Sequence, residues 1–166
     1  MKITKFLYRL AISWIKNRYK IHGEWAEDKL LYATVIDQLR CVPILLDRRY
    51  RVTTLDKWKE IIESDTLNEI KKWKKDVFDC DNFALAMVAH VNEVYELNSI
   101  GFAIGTVKKP STLEEVGKHA YNVIAAKDNG KLTLYILEPQ NDEIVLATPK
   151  ARLRNYIYET EVVVFG

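Results

Sequence analysis

The apolar residues of this chain change period near Asn98, and that change decides what it can fold into. Upstream they recur every three or four positions, as on one face of a helix; downstream they alternate, as on one face of a strand. Ile3, Phe6, Leu7, Leu10, Trp14 and Ile15 mark a first helix, with lysines and arginines on its other side. A second runs through "EWAEDKLLYATVIDQLRC" and stops before Pro43. A third fills "TTLDKWKEIIESD", with Thr54 as its N-cap. "TLNEIKKWKK" is a short helical or irregular approach to a fourth helix, which begins near Asp79 and ends about Leu97. Strands follow in "IGFAIGTV", "HAYNVIAA", "KLTLYILEP", "DEIVLA" and "YIYETEVVVF". "KKPSTLEEVGK" is a polar loop and "KDNG" a hairpin turn. Helices first and an antiparallel sheet after them predict an α+β domain.

The 166 residues suffice for one domain with a sizeable core, and no internal repeat divides them. Two cysteines, Cys41 and Cys80, exclude a disulfide framework and fit a reducing, cytoplasmic setting. Arg9 interrupts the apolar stretch a secretory signal needs, and the uncharged run from Leu10 to Ile15 is too short to span a bilayer. The net charge of +2 hides an asymmetry. Residues 1–20 carry Lys2, Lys5, Arg9, Lys16, Arg18 and Lys20 and no acid, which leaves −4 for the remainder. The first reading of this segment is a surface helix docked by its apolar stripe; contact with an anionic membrane surface is the alternative. One basic helix is too little for a nucleic-acid footprint, so no nucleic-acid partner is expected.

"DVFDCDNFALAM" sets Cys80 between Asp79 and Asp81 at the mouth of the fourth helix. With Asp79 as N-cap, the thiol sits where unpaired N–H groups and the helix dipole favour an anion. The competing reading is a small buried hydrophobe closing the stripe Cys80, Ala84, Met87, Val91 and Tyr95. Of three histidines, His22 lies in a junction, His90 on another side of the helix from Cys80, and His119 opens a strand. On the paired strand, period two puts Leu132, Leu134, Ile136 and Glu138 on one face, with Gln140 following if the strand persists past Pro139. An acid there is costly to bury unpaired, and the hairpin is expected to bring it near His119. Thiol, imidazole and carboxylate then stand in the chain order of a nucleophile, a base and an orienting group. Cys41 has no such setting and reads as a core residue.

The segments "FDCDNFA", "HAYN" and "EPQ" resemble FDCDDFA, HAxN and EPQ of the papain-like cysteine protease domain attached to the Marasmius-type mushroom agglutinin, and of its single-domain prokaryotic and phage relatives. The likeness covers roughly Arg48 to Asp142. It implies a papain-like (cysteine proteinase) fold over residues 1–166, with 1–20 as a basic amphipathic helix and 76–166 as catalytic helix and sheet. It further implies a thiol peptidase acting on a peptide or protein through a thioester. Cys80 would be its nucleophile, His119 its general base and acid, and Glu138 the residue orienting the imidazole. The Cys80 N–H would be one oxyanion donor and Gln140 the second, with Gln38 and Trp73 as alternatives. In the agglutinin the activity depends on a divalent cation, usually calcium, to which Asp79, Asp81 and Asn82 would contribute here. Asn82 replaces the family's second acid. Without a metal, Asp79 is simply the N-cap and Asp81 a first-turn acid facing the dipole. Other readings on this fold are a murein endopeptidase or amidase and a transglutaminase-like enzyme; from another class comes a non-catalytic interaction module. No β-trefoil lectin domain is present, so the mushroom protein's sugar binding is not expected.

Overall fold

The structure, a computed structural model, describes residues 2–18 and 21–166. Helix α1 (Lys2–Arg18) leads to strand β1 (Glu24–Glu27), α2 (Asp28–Leu39), β2 (Val42–Leu45) and β3 (Arg49–Val52). Then come α3 (Leu55–Ser64), the single turn α4 (Leu67–Ile70) and the central helix α5 (Cys80–Tyr95). Strands β4 (Ile100–Lys108), β5 (Glu115–Asp128), β6 (Lys131–Glu138), β7 (Glu143–Leu146), β8 (Ala151–Leu153) and β9 (Tyr156–Phe165) complete the chain.

Local chemistry sets several of these boundaries. The Thr54 hydroxyl accepts the Lys57 N–H at 3.3 Å, satisfying one orphan donor at the start of α3. At α5 the Asn82 side-chain oxygen reaches back to the Asp79 N–H at 3.2 Å, and Glu96 ends the helix in the left-handed region at φ 56°. Between β5 and β6, Asn129 and Gly130 both have positive φ, 51° and 79°. That is the turn whose twist matches two paired strands, and Asn-Gly tolerates it.

Seven strands form one sheet in the order β2-β9-β4-β5-β6-β7, with β8 also paired to β9. Every pairing in it is antiparallel except β2 with β9. Strands β1 and β3 make a separate antiparallel pair. The expected succession of helices followed by a purely antiparallel sheet is therefore corrected. Three strands precede α5, and one of them joins the main sheet in parallel, giving a mixed α/β domain made mostly of strands. The physical reason is length. "EWAE", "VPIL" and "RYRV" are four-residue strands whose stability comes from distant partners rather than from any local period. "EWAE" also belongs to β1, not to the helix expected from residue 24 onward.

Both faces of the sheet are covered. Tyr121, Val123, Ala125, Leu132, Leu134 and Ile136 pack with Leu31, Val35 and Leu39 of α2. Ile124, Ala126 and Leu137 pack on the other face with Met87, Val91 and Val94 of α5 and Trp58 and Ile61 of α3. This double burial explains why "HAYNVIAA" is almost continuously apolar instead of alternating. Among the described residues no helix is long and apolar enough to cross a membrane.

The β4–β9 register slips by one residue between Ile104 and Gly105. A Cβ on Gly105 would run into the Glu159 carbonyl oxygen and stand 2.7 Å from the Tyr121 hydroxyl. Gly105→Ala is therefore expected to destabilise the fold by about 2 kcal/mol, as overpacking does in a tight core. Urea unfolding would show a lower midpoint at unchanged slope; an unchanged midpoint would mean that the strands can move apart there at no cost.

Candidate functional site

A second irregularity shapes the site. Val107 pairs with Gly117 but Lys108 pairs with Glu115, so Val116 bulges from β5. Gly117 has φ 152°, which a side chain would strain. The bulge makes Val116, Gly117 and Lys118 one wall of a cavity of about 210 Å³, closed by Val107, His119, Tyr156 and Tyr158.

Behind His119 lies Glu138, the last residue of β6 and only 3 % exposed. Its Oε2 meets His119 Nε2 at 2.6 Å and accepts the Tyr158 hydroxyl at 3.1 Å. Its Oε1 accepts from Gln140, through the side-chain amide at 3.2 Å and the backbone N–H at 3.4 Å. The buried charge is thus met by donors on every side, the condition for burying it at all. With a carboxylate as partner, Nε2 of the neutral imidazole is the nitrogen that carries the proton.

Aromatic rings complete the setting. The His119 ring lies 5.7 Å from that of Tyr158, edge to face, and 6.1 Å from that of Tyr121, stacked. The Tyr121 and Thr160 hydroxyls are 2.8 Å apart. Burial, then the charge and hydrogen bond of Glu138, hold the Tyr158 phenol well above its ordinary pKa. Burial does the same for Tyr121, against a smaller downward pull from Thr160.

The structure thus brings His119, Glu138 and Gln140 together. Cys80 is half-buried at the start of α5, which covers the sheet face opposite Tyr121. Among the described residues no hydrogen bond joins its sulfur to His119 or Glu138. Ligand atoms of Asp79, Cys80 and Asp81 lie within 4.8 Å of one another. The two acids divide their affinity for a proton. Their mutual hydrogen bond lowers Asp79 and raises Asp81, helped by the Asp76 N–H on Asp79 and by desolvation on Asp81. The Asn82 oxygen is already engaged by the Asp79 N–H, which leaves Asp79 and Asp81 as the oxygen donors best placed for a cation.

The alternative oxyanion candidates stand elsewhere. The Gln38 side chain accepts the Leu134 N–H at 2.7 Å and fastens α2 to β6, and Trp73 is exposed. Cys41 is buried, and desolvation raises its thiol pKa. Two contributors have no role assigned from the sequence, although Asn122 closes the "HAYN" segment of the resemblance. Tyr158 was visible only as one member of an alternating row, with nothing to link β9 to the end of β6. Asn122 is fully buried; its amide donates to the carbonyls of Ala84 and Gly101 at 3.0 and 3.2 Å, tying α5 to the sheet. A lone Asn inside an apolar run was its signal.

A mixed sheet covered on both faces, with a polar-floored, aromatic-walled cavity at one end, defines the class of domain. The Agglutinin C-terminal family model matches residues 50–144, more than half of the chain, and the chain belongs to that family. Two solved structures share its fold. The "PSL1a-E64 complex" is 23% identical with a TM-score of 0.62, over 85% of this chain and 51% of the other. The Polyporus squamosus lectin, bound to the human-type influenza-binding epitope Neu5Aca2-6Galb1-4GlcNAc, is 24% identical with a TM-score of 0.65, over 85% of this chain and 49% of the other. The chain spans about half the length of each. No curated protein matches it.

These findings correct the functional expectations. The family is Agglutinin C-terminal and one of the two structures sharing the fold is a lectin, which overturns the papain-like fold class. The thiol peptidase reading, with its peptide substrate, falls with it. The agglutinin half of the resemblance holds, and the non-catalytic alternative is the better supported.

Tyr158→Phe deletes the hydroxyl on Glu138 and is expected to cost about 2 kcal/mol, as for a hydrogen bond to a charged group. Its folded pKa is raised, so the phenol's contribution is complete below about pH 10 and is lost as the pH rises beyond it. Urea titrations at neutral and alkaline pH should show the parent losing more stability than the variant on going alkaline.

Proposed function

We propose that this chain is a non-catalytic carbohydrate-binding module and that the cavity beside His119 receives a sugar ring. The observation that carries the reading is the fixed His119–Glu138 pair at the edge of a cavity walled by Tyr156 and Tyr158. A saccharide needs an apolar wall for its C–H face and a few oriented polar groups for its hydroxyls. The imidazole is held by Glu138, and Glu138 by Tyr158 and Gln140, so little freedom is lost on binding. Lys118 stands at the rim with its ammonium held by Glu161 and Thr106, so the rim is polar and positioned rather than a free cation. The glycan carried by the Polyporus squamosus lectin supports the ligand class. Cys80 takes no part in the cavity.

Calcium is the second element of the proposal. Asp79 and Asp81, whose carboxylate oxygens lie within 4.8 Å of each other, would hold it, and it would stabilise the start of α5 without touching the sugar. Calcium is expected to raise the melting temperature of the parent and not that of Asp81→Asn; equal responses would remove the metal from the proposal.

Binding is tested on a glycan array carrying sialylated and neutral galactosides, followed by calorimetry. His119→Ala and Tyr156→Ala are each expected to weaken binding at least about tenfold, or about 1.4 kcal/mol, while Cys80→Ala binds as the parent does. An intact chain that retains no glycan would overturn the reading. So would turnover of an amide substrate that Cys80→Ala abolishes.

A further inference from the structure

Helix α1 has two apolar faces, and the domain uses only one. At about 100° per residue, Tyr8, Ile12 and Ile15 share one side. That side is docked: Ile12 and Ile15 pack on the α3–α5 core, and the Tyr8 hydroxyl donates to Glu93 at 2.8 Å. Lys16 reaches Glu96 at 2.9 Å beside it. Ile3, Phe6, Leu7, Leu10 and Trp14 form a second stripe about 100° wide on the far side. All five are more than half exposed, Ile3 at 75% and Trp14 at 62%. A helix whose only task is to close a core is polar there.

The borders of this stripe are cationic. Lys5 and Arg9 lie between it and the docked face on one side, and Arg18 lies on the other with its guanidinium 5.5 Å from the Trp14 ring. Residues 1–20 hold six basic side chains and no acid. A broad apolar stripe with a tryptophan and flanking lysines and arginines is the composition of a helix that lies in a membrane interface. A second copy of the chain is the less suitable occupant, because a symmetric contact would set one strongly basic segment against another.

We propose that α1 seats the domain on a bilayer of anionic lipids. Phe6, Leu10 and Trp14 enter the boundary between headgroups and acyl chains, and Lys5 and Arg9 meet the anionic headgroups. Because α1 rests on α5, it lies on the opposite sheet face from His119. The surface is therefore independent of what the cavity binds.

Co-sedimentation of the intact chain with phosphatidylcholine vesicles, with and without about one-third phosphatidylglycerol, tests the proposal. At least about tenfold tighter binding to the anionic vesicles is expected, weakening as salt is raised. The double variants Phe6→Ser with Leu10→Ser, and Lys5→Glu with Arg9→Glu, should each lose it at unchanged melting temperature, since neither pair contributes to the docked side. Equal binding of parent and both variants would overturn the proposal, as would no binding to anionic vesicles. A dimer in solution that Phe6→Ser with Leu10→Ser dissociates would assign the stripe to a second copy instead.

Discussion

A carboxylate buried to 3 % exposure at the end of an apolar row has to be satisfied, and the arrangement around Glu138 does so. Its partners are His119, just past the bulge in β5, Tyr158 near the start of β9, and Gln140 just past β6 itself. Yet β9 and β6 are not neighbours; β4 and β5 lie between them. Tyr158 pairs with Val107 on β4, and its hydroxyl reaches diagonally to Glu138; next to it Gly105, paired with His119 on one side and Thr160 on the other, offers no side chain and leaves room for the Tyr121 hydroxyl. The slips beside Gly105 and at Val116 add bend and twist, and both let this end of the sheet curl around the acid. Removal of the carboxylate would leave an imidazole and a phenol facing each other without their common acceptor.

The same arrangement explains why a catalytic reading was attractive and why it is not retained. Chain order supplies candidates for nucleophile, base and orienting group, but a triad is defined by distance and direction. Two of the three are joined here, through a bond that also serves the stability of the sheet. The thiol opens α5 and shares no hydrogen bond with them among the described residues. A fixed imidazole beside tyrosine rings suits a binding pocket equally well.

What was legible in the sequence was what is locally determined. Thr54 and Asp79 mark helix starts because a side chain bonds the next turn, and Asn129-Gly130 marks a hairpin because few other residues adopt two positive φ angles in succession. The row Leu132, Leu134, Ile136 and Glu138 announced its own face by alternation. Strands β1, β2, β3 and β8 were not legible: β1, β3 and β8 lack an apolar run of their own, Pro43 interrupts that of β2, and all four take their stability from partners elsewhere in the chain. The equally short β7, by contrast, shows as the run "DEIVLA". The loop expected over "KKPSTLEEVGK" ends four residues early because β5 continues past its bulge to Glu115 and pairs with Lys108. Tyr158 failed for the same reason as the short strands: its role exists only once β9 has found β4.

Strand β5 shows how a single run of residues serves both faces. His119 and Tyr121 look toward α2 and the cavity, while Asn122 reaches the other way to the carbonyls of Ala84 and Gly101. Period two makes this division unavoidable, so the residues that build the cavity and those that anchor α5 can change separately. Helix α1 extends the second face by one layer, since it is held by α5. The proposed ligand at His119 and the proposed surface under α1 would therefore act on opposite sides of one sheet. Coupling between them would have to pass through its closely packed strands, where Gly105 and Asn122 leave little room for two arrangements.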